Sequence, residues 1–182
     1  MSTAGIHAVA GERKAPVRSH FVPTGVFVEL PGRGTCFFRQ HLHPGKPTLL
    51  LVHGMVTCSG LNWYRLLPAL TEHFNIIAPD LRGHGRSSFD SKRFTFRRVA
   101  EDMASLLRQL ETGPVIAVGY SMGGAIVQYL WRQHPELVDG LVLAATNYKA
   151  RIARREELVI LPLFVGFGLW GRFAGFPLGF GG

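Results

Sequence analysis

Four short, predominantly apolar runs constrain this fold more than any other feature of the sequence. An apolar run without alternation is typical of a strand that is covered on both faces. When such strands alternate with amphipathic helices, they form a parallel sheet with right-handed crossovers and helices on both faces. The sequence therefore predicts an α/β fold with a mostly parallel, twisted sheet. The runs are residues 48–52, 74–78, 114–118 and 140–145.

The residues between these runs carry apolar side chains at helical intervals. The apolar residues Trp63, Leu66, Leu67 and Leu70 predict an amphipathic helix over residues 61–73. Thr95 is a candidate N-cap, because its side-chain oxygen can accept a hydrogen bond from the first turn of a helix over residues 96–111. A third helix is predicted over residues 123–134, whereas the turn-forming residues of 81–94 predict a loop.

Two extended runs, residues 26–30 and 35–41, precede this pattern, and the Pro-Gly-Arg-Gly sequence between them predicts an antiparallel hairpin. Residues 1–24 are rich in Ala, Gly, Ser and Pro and lack the apolar core of a signal peptide, so we expect a mobile arm. We expect residues 25–148 to form the α/β core and residues 149–182 to begin an apolar cap or lid.

Residues 158–182 are apolar, and Arg172 is their single charged residue. A membrane-spanning helix needs about 20 continuous apolar residues. Pro162 and several glycines interrupt this segment. Its composition therefore favours a lid, or a segment that contacts a membrane surface, over a spanning helix.

The chain of 182 residues has a formal net charge of +8, which raises the question of nucleic-acid binding. The basic residues are spread over both halves, and the densest groups, at residues 97–98 and 151–155, are typical of solvated faces. We expect no nucleic-acid partner. Cys36 and Cys58 are too few for a disulfide framework and favour a reduced, cytoplasmic setting.

A Gly-Tyr-Ser-Met-Gly sequence at residues 119–123 lies directly between a predicted strand and a predicted helix. In this setting, G-x-S-x-G forms a tight turn that presents the serine hydroxyl above the sheet. Gly119 and Gly123 let the strand and the helix approach each other closely around Ser121. The Met122 amide, at the start of the helix, can donate to a developing negative charge.

A second backbone donor is predicted at the end of the first buried strand, where His53-Gly54-Met55 follows residues 48–52. Gly54 permits a sharp turn that can direct the Met55 amide at the oxyanion formed when Ser121 attacks a carbonyl. We expect His53 to fix this loop by hydrogen bonds rather than to act as the base.

The sequences LLLVHG, PDLRGHGRSS, VGYSMGG and HPELVDGLVLAAT together resemble the N-terminal half of an α/β-hydrolase. The resemblance implies Ser121 as nucleophile and the Met55 and Met122 amides as the oxyanion hole. It also implies that the loop from Asp80 to Ser88 is structural and lies near the site. Asp80, together with Arg82 and His84, is then expected to hold this loop in place.

The serine also distinguishes among members of the family that the chain resembles. Haloalkane dehalogenases and epoxide hydrolases have aspartate at the position of Ser121, so both activities are disfavoured. Esterases, lipases, thioesterases, C–C hydrolases and cofactor-free haloperoxidase-like enzymes remain open. We expect no cofactor and no metal site, and the apolar segment 158–182 suggests a hydrophobic acyl substrate.

The sequence departs from the family pattern after the serine, where a catalytic acid and then a histidine are expected. His134 is the one histidine after Ser121, and 13 residues of helix would place it about 20 Å away. Asn147 follows the last run, but its amide does not replace a carboxylate. These features predict that this chain is the first part of a longer serine hydrolase and that the chain itself lacks the catalytic acid and base.

The alternative is a catalytically inactive fragment or scaffold with the same fold. If further strands are absent, the strand over residues 140–145 lies at an open sheet edge. Exposed edges promote pairing between chains, so self-association through this edge is also expected.

Overall fold

The computed structural model describes residues 21–89 and 94–146, which form a mixed seven-stranded sheet with helices on both faces. Cys36 and Cys58 are free thiols. The elements are β1 (Gly25–Leu30), β2 (Gly34–His41), β3 (Thr48–Val52), α1 (Ser59–Trp63), α2 (Leu67–Leu70), β4 (Asn75–Pro79), β5 (Ser88–Phe89), α3 (Phe96–Gln109), β6 (Val115–Tyr120), α4 (Met122–Gln133), a 3-10 turn (Pro135–Leu137) and β7 (Val138–Ala144).

The strands lie in the order β1-β2-β4-β3-β6-β7, and β5 pairs with β2. The pairs β3–β4, β3–β6 and β6–β7 are parallel. β1 and β2 form the predicted antiparallel hairpin, and β2 also runs antiparallel to β4. The α/β fold class is therefore confirmed. The carboxyl ends of β3 and β6 lie side by side, which is where the predicted catalytic loops begin.

The two faces of β3 explain why its sequence shows no alternation. Leu50 and Val52 point into a core formed with α3 and α4. Leu49 and Leu51 point into a second core with side chains from α1 and α2. Side chains on both faces of such a strand lie in apolar surroundings. A polar side chain at every second position would therefore be buried without hydrogen-bond partners, which costs free energy.

The prediction of a single helix over residues 61–73 is wrong, because α1 and α2 are separate short helices. Pro68 lies in the first turn of α2. It has no N–H to donate to the carbonyl of Tyr64, and its ring would clash with that carbonyl in a continuous helix. Of the apolar residues, Trp63 and Leu67 are buried, whereas Leu66 is 52% exposed.

Two strand predictions also need correction. Residues 88–89, predicted as loop, form β5, because Ser88 and Phe89 pair with Thr35 and Gly34 at the start of β2. β7 was expected to be a buried strand, but Val142 is 47% exposed and Leu143 is 41% exposed. β7 is the outermost strand of the described sheet, so it has a hydrogen-bonded neighbour on one side within that sheet.

Several predictions concern residues outside the described ranges. These are the arm over residues 1–20, Asn147, and the apolar cap, including segment 158–182. The domain limits therefore stay predictions. Pro23, inside the predicted arm, is buried, and its carbonyl accepts a hydrogen bond of 3.0 Å from Arg39. No helix within the described ranges combines the length and apolarity needed to cross a bilayer.

Candidate active site

Ser121 occupies the tight turn between β6 and α4. Its backbone has φ = 52° and ψ = −116°, a left-handed conformation that is costly for a residue with a side chain. The turn is held by two backbone hydrogen bonds. Ser121 N–H donates to the Ala144 carbonyl (2.9 Å), and Gly124 N–H donates to the Ser121 carbonyl (3.0 Å). The turn is thus joined to the end of β7.

The glycines on either side of Ser121 lie where there is no room for a side chain. A methyl group at Gly119 would lie 2.5 Å from the Gly123 carbonyl oxygen. A methyl group at Gly123 would overlap the carbonyl oxygen of Val52 and lie 2.7 Å from that of His53. α4 therefore begins in direct contact with the end of β3, which brings the two predicted catalytic loops together.

The predicted oxyanion donors lie on these two adjoining segments. Met122 is the first residue of α4, so its N–H has no acceptor within the helix. Gly54 lies against the turn, since a methyl group there would be 3.4 Å from Ser121 Cβ and 3.1 Å from the Tyr120 ring. Gly54 N–H donates to Asn62 Oδ1 (3.2 Å), which leaves the next amide, that of Met55, as the candidate donor from this loop.

His53 is fully buried and uses both ring nitrogens. Its Nδ1–H donates to the Gly54 carbonyl (2.7 Å), and its Nε2 accepts from the backbone N–H of Leu81 (3.0 Å). Burial lowers the pKa of His53 to about 4. Because the Gly54 carbonyl and the Met55 N–H belong to one planar peptide, the hydrogen bond from His53 also fixes the direction of the Met55 amide.

Asp80 is buried at the start of the neighbouring loop and accepts hydrogen bonds from two segments. Its Oδ1 accepts from the backbone N–H of Ser59 (2.8 Å) and from its hydroxyl (2.6 Å). Its Oδ2 accepts from the Arg86 N–H (2.9 Å). These contacts link the loop before α1 to the loop after β4, and they occupy both carboxylate oxygens of Asp80.

Arg82 and His84 also hold the Asp80–Ser88 loop. Arg82 donates two hydrogen bonds of 2.9 Å to the fully buried carboxylate of Asp102 in α3. His84 Nδ1 donates to the Arg82 carbonyl (3.0 Å), and its ring packs 5.3 Å from that of His53. Asp102 was not predicted from the sequence, although an acidic residue beside the apolar face of a helix is a signal for a buried ion pair.

Within the described ranges, no hydrogen bond joins the Ser121 hydroxyl to a histidine or carboxylate side chain. His134 lies at the far end of α4, where its Nε2 is 3.1 Å from Glu101 Oε1 and its Nδ1 is 3.7 Å from Glu136. The same ranges contain no group of three or more histidine, cysteine, aspartate or glutamate side chains that could hold a metal ion.

Comparisons with known proteins show the family to which the chain belongs. The family model for the alpha/beta hydrolase fold matches residues 47–178. Lipase LipV of Mycobacterium tuberculosis (strain ATCC 25618 / H37Rv) is 41% identical over 121 residues, which cover 66% of this chain and 45% of the lipase. Pyrrolizixenacetamide deacetylase of Xenorhabdus hominickii is 32% identical over 110 residues, which cover 60% of this chain and 41% of the deacetylase.

A solved structure of a hydrolase from Pseudomonas aeruginosa PA01 is similar with a TM-score of 0.68 and 31% sequence identity, over 77% of this chain and 52% of that chain. The chain thus spans about half or less of the length of the lipase, the deacetylase and this hydrolase. With the family model matching well over half of its residues, the chain belongs to the alpha/beta hydrolase fold family.

Proposed function

We propose that Ser121 is the nucleophile of a serine hydrolase that acts on an ester or related carbonyl substrate through an acyl-enzyme. The observation that carries this proposal is the left-handed backbone of Ser121, which is costly and recurs where a fold presents a reacting side chain. In the reaction, Ser121 Oγ loses its proton to a base and bonds to the carbonyl carbon. The leaving alkoxide takes up a proton, and water then hydrolyses the acyl-serine.

The Met55 and Met122 amides are proposed as the donors that stabilise the tetrahedral oxyanion. The proximity of Gly54 to Ser121 supports this role, as does the position of Met122 at the N-terminus of α4. Backbone donors fixed before the reaction need no reorganisation when charge develops on the carbonyl oxygen. In this proposal, His53 and Asp80 are positioning residues that fix the two loops relative to each other.

We further propose that the acid and the base come from a longer hydrolase of which this chain is the first part. The lipase and the deacetylase match this chain over 45% and 41% of their own lengths, and within the described ranges no hydrogen bond joins Ser121 to a base. Oxyanion binding alone leaves roughly 10³-fold catalysis over water in enzymes that lack their triad. We therefore expect weak turnover from this chain alone.

The substrate is proposed to be an apolar acyl compound. Tyr120, directly before the nucleophile, is 43% exposed and lies against Gly54, which provides an aromatic surface beside the reacting carbon. The similarity to a lipase and to a deacetylase supports acyl transfer from an ester or an amide.

A fluorophosphonate probe tests the nucleophile directly. We expect slow labelling of the folded chain that is abolished in Ser121→Ala. Ser105→Ala is the matched control, because Ser105 lines a surface hollow on α3 together with Arg33 and Arg108, away from the proposed site. Labelling should persist in this control. Labelling that survives Ser121→Ala would contradict the assignment.

A catalytically inactive scaffold is the second candidate, and the missing base is the observation that favours it. A scaffold predicts no labelling of the folded protein and no ester hydrolysis above the buffer rate. The two candidates are also separated by extending the chain with the coding sequence downstream of Gly182. A large gain in hydrolysis that depends on Ser121 supports the hydrolase, whereas no gain supports the scaffold.

A further inference from the structure

Two imidazole rings meet at the surface end of β2, away from the Ser121 turn. The Nε2 atoms of His41 and His43 are 2.8 Å apart, and the ring centroids are 4.5 Å apart with an interplanar angle of 73°. His41 is the last residue of β2 and His43 is exposed in the following turn. At this separation, one Nε2 carries a proton that the other accepts, so two potential ligand atoms lie next to each other.

The backbone around the pair is fixed by several contacts. Asn75 Oδ1 accepts a hydrogen bond from His43 N–H, and Asn75 Nδ2 donates to the Lys46 carbonyl (2.8 Å). On the other side, Phe21 packs edge-on against the His41 ring with a centroid distance of 5.6 Å. The two nitrogens are therefore held together before any ligand arrives, which reduces the entropic cost of binding.

The two nitrogens are close enough for one metal ion to bind both. Two nitrogen ligands, each about 2.0 Å from a metal, are about 2.8 Å apart at adjacent corners of a square and about 3.3 Å apart in a tetrahedron, so small side-chain rotations accommodate a metal once the proton between the rings has moved. Square-planar or tetragonal nitrogen coordination is typical of Cu²⁺, which also binds nitrogen ligands most tightly among the divalent first-row metals. From this geometry, we propose that His41 and His43 form a two-histidine chelate for Cu²⁺, with water in the other coordination positions.

The proposal departs from the sequence expectation of no metal site, because it needs two ligands rather than three. On binding, the proton between the rings moves to the Nδ1 of its own ring, so that both Nε2 atoms present lone pairs and no oxidant or reductant is required.

Lys46 opposes the bound cation. Its ammonium donates to the Thr71 and Glu72 carbonyls, at 3.3 and 3.0 Å, and its charge acts on His41. The same charge repels a dication at the chelate. Lys46→Gln should therefore tighten Cu²⁺ binding a few-fold, and this effect would place the bound ion close to Lys46.

The test is a titration of the full, untagged chain with Cu²⁺ near neutral pH, followed by calorimetry and electron paramagnetic resonance. We expect a tetragonal copper signal coupled to two nitrogens. His41→Ala and His43→Ala should each weaken binding by about tenfold or more, because chelation is lost, and should leave a one-nitrogen signal. His73→Ala, which removes another exposed histidine, is the matched control and should bind as the wild type does.

Unchanged affinity and unchanged nitrogen coupling in both His41→Ala and His43→Ala would place the copper elsewhere and overturn the proposal. An equal loss in His73→Ala would do the same, since it would show binding to scattered imidazoles. Tighter binding in Lys46→Gln supports the assignment, and weaker binding contradicts it. Circular dichroism of each variant verifies that the chain remains folded.

Discussion

The packing of the fold and the proposed active site both require that residue 123 has no side chain. The α-carbon of Gly123 lies so close to β3 that a methyl group would overlap the Val52 carbonyl oxygen. That contact is with backbone, which cannot rotate away as a flexible side chain could. The absence of a side chain at this position therefore allows α4 to begin directly beside the loop that carries Met55.

Gly123→Ala should lower the free energy of unfolding by about 2 kcal/mol or more, because the new methyl group forces the backbone of α4 away from β3. The matched control is Gly140→Ala in β7, where the nearest side-chain atom would lie at an ordinary 3.8 Å. Alanine there should be neutral or raise stability by about 0.5 kcal/mol. Urea unfolding of both variants checks this, and equal effects would contradict the packing argument.

Single residues also show what the sequence could and could not predict about the candidate site. The glycines around Ser121 were predictable, because the motif requires close approach between its strand and its helix. The loop-holding character of His53 and Asp80 was predictable, but their partners were not. Leu81 and Ser59 become neighbours of His53 and Asp80 only through tertiary packing, as Asp102 becomes the partner of Arg82, and local sequence does not encode such contacts.

At the scale of elements, the carboxyl end of α3 contains a residue poorly suited to its backbone. Glu111 has φ = 50°. Glu111 N–H donates to the Arg108 carbonyl (3.2 Å) and Thr112 N–H donates to the Leu107 carbonyl (3.3 Å), which is the hydrogen-bond pattern of a Schellman motif. The left-handed position of this motif favours glycine.

Glu111→Gly should therefore raise the free energy of unfolding by about 0.5–1 kcal/mol, because glycine adopts this conformation without steric cost. Gln109→Gly is the matched control, since Gln109 is the last residue of α3 and a helical glycine is destabilising by about 1 kcal/mol. Thermal unfolding distinguishes the two variants by sign. A destabilised Glu111→Gly would refute this account of the helix end.

The elements that the sequence predicted best are those with one dominant signal. β3 and β6 were recognised from continuous apolar runs, and α3 from its apolar face and from Thr95, whose side chain accepts from Arg98 N–H (3.2 Å). The break between α1 and α2 was missed because apolar spacing was given more weight than Pro68. The two-residue β5 depends on pairing with β2, so no local pattern could have identified it.

At the scale of the whole molecule, we expect the edge of the sheet formed by β7 to determine how the chain associates with other copies. In the described part, β7 presents the exposed side chains of Val142 and Leu143, and exposed apolar edges tend to pair with other chains. We expect self-association that increases with protein concentration. Val142→Lys should reduce it, because a charged side chain on an edge strand opposes pairing, whereas Glu29→Lys, at an exposed position of the opposite edge strand β1, should not. Light scattering after size exclusion measures both, and a wild-type monomer at every concentration would exclude this interface.

The stability of the whole molecule should also depend on pH through His53. Its folded-state pKa is about 4, below the ordinary value of 6.5, so the unfolded chain binds a proton in the interval between these values that the folded chain does not. The resulting stability is complete above pH 6.5 and is lost as the pH falls towards 4. This difference in pKa corresponds to about 3 kcal/mol.

His53→Asn keeps a donor for the Gly54 carbonyl but removes the titrating ring. Between pH 6.5 and 5, the wild type should therefore lose about 2 kcal/mol more stability than this variant does. His73→Asn, which changes an exposed ring, should follow the wild-type pH dependence. Urea unfolding at several pH values measures the three slopes. Parallel curves for wild type and His53→Asn would show that protonation of His53 is not what destabilises the fold, and would remove the argument that its buried, neutral ring holds the Gly54–Met55 peptide.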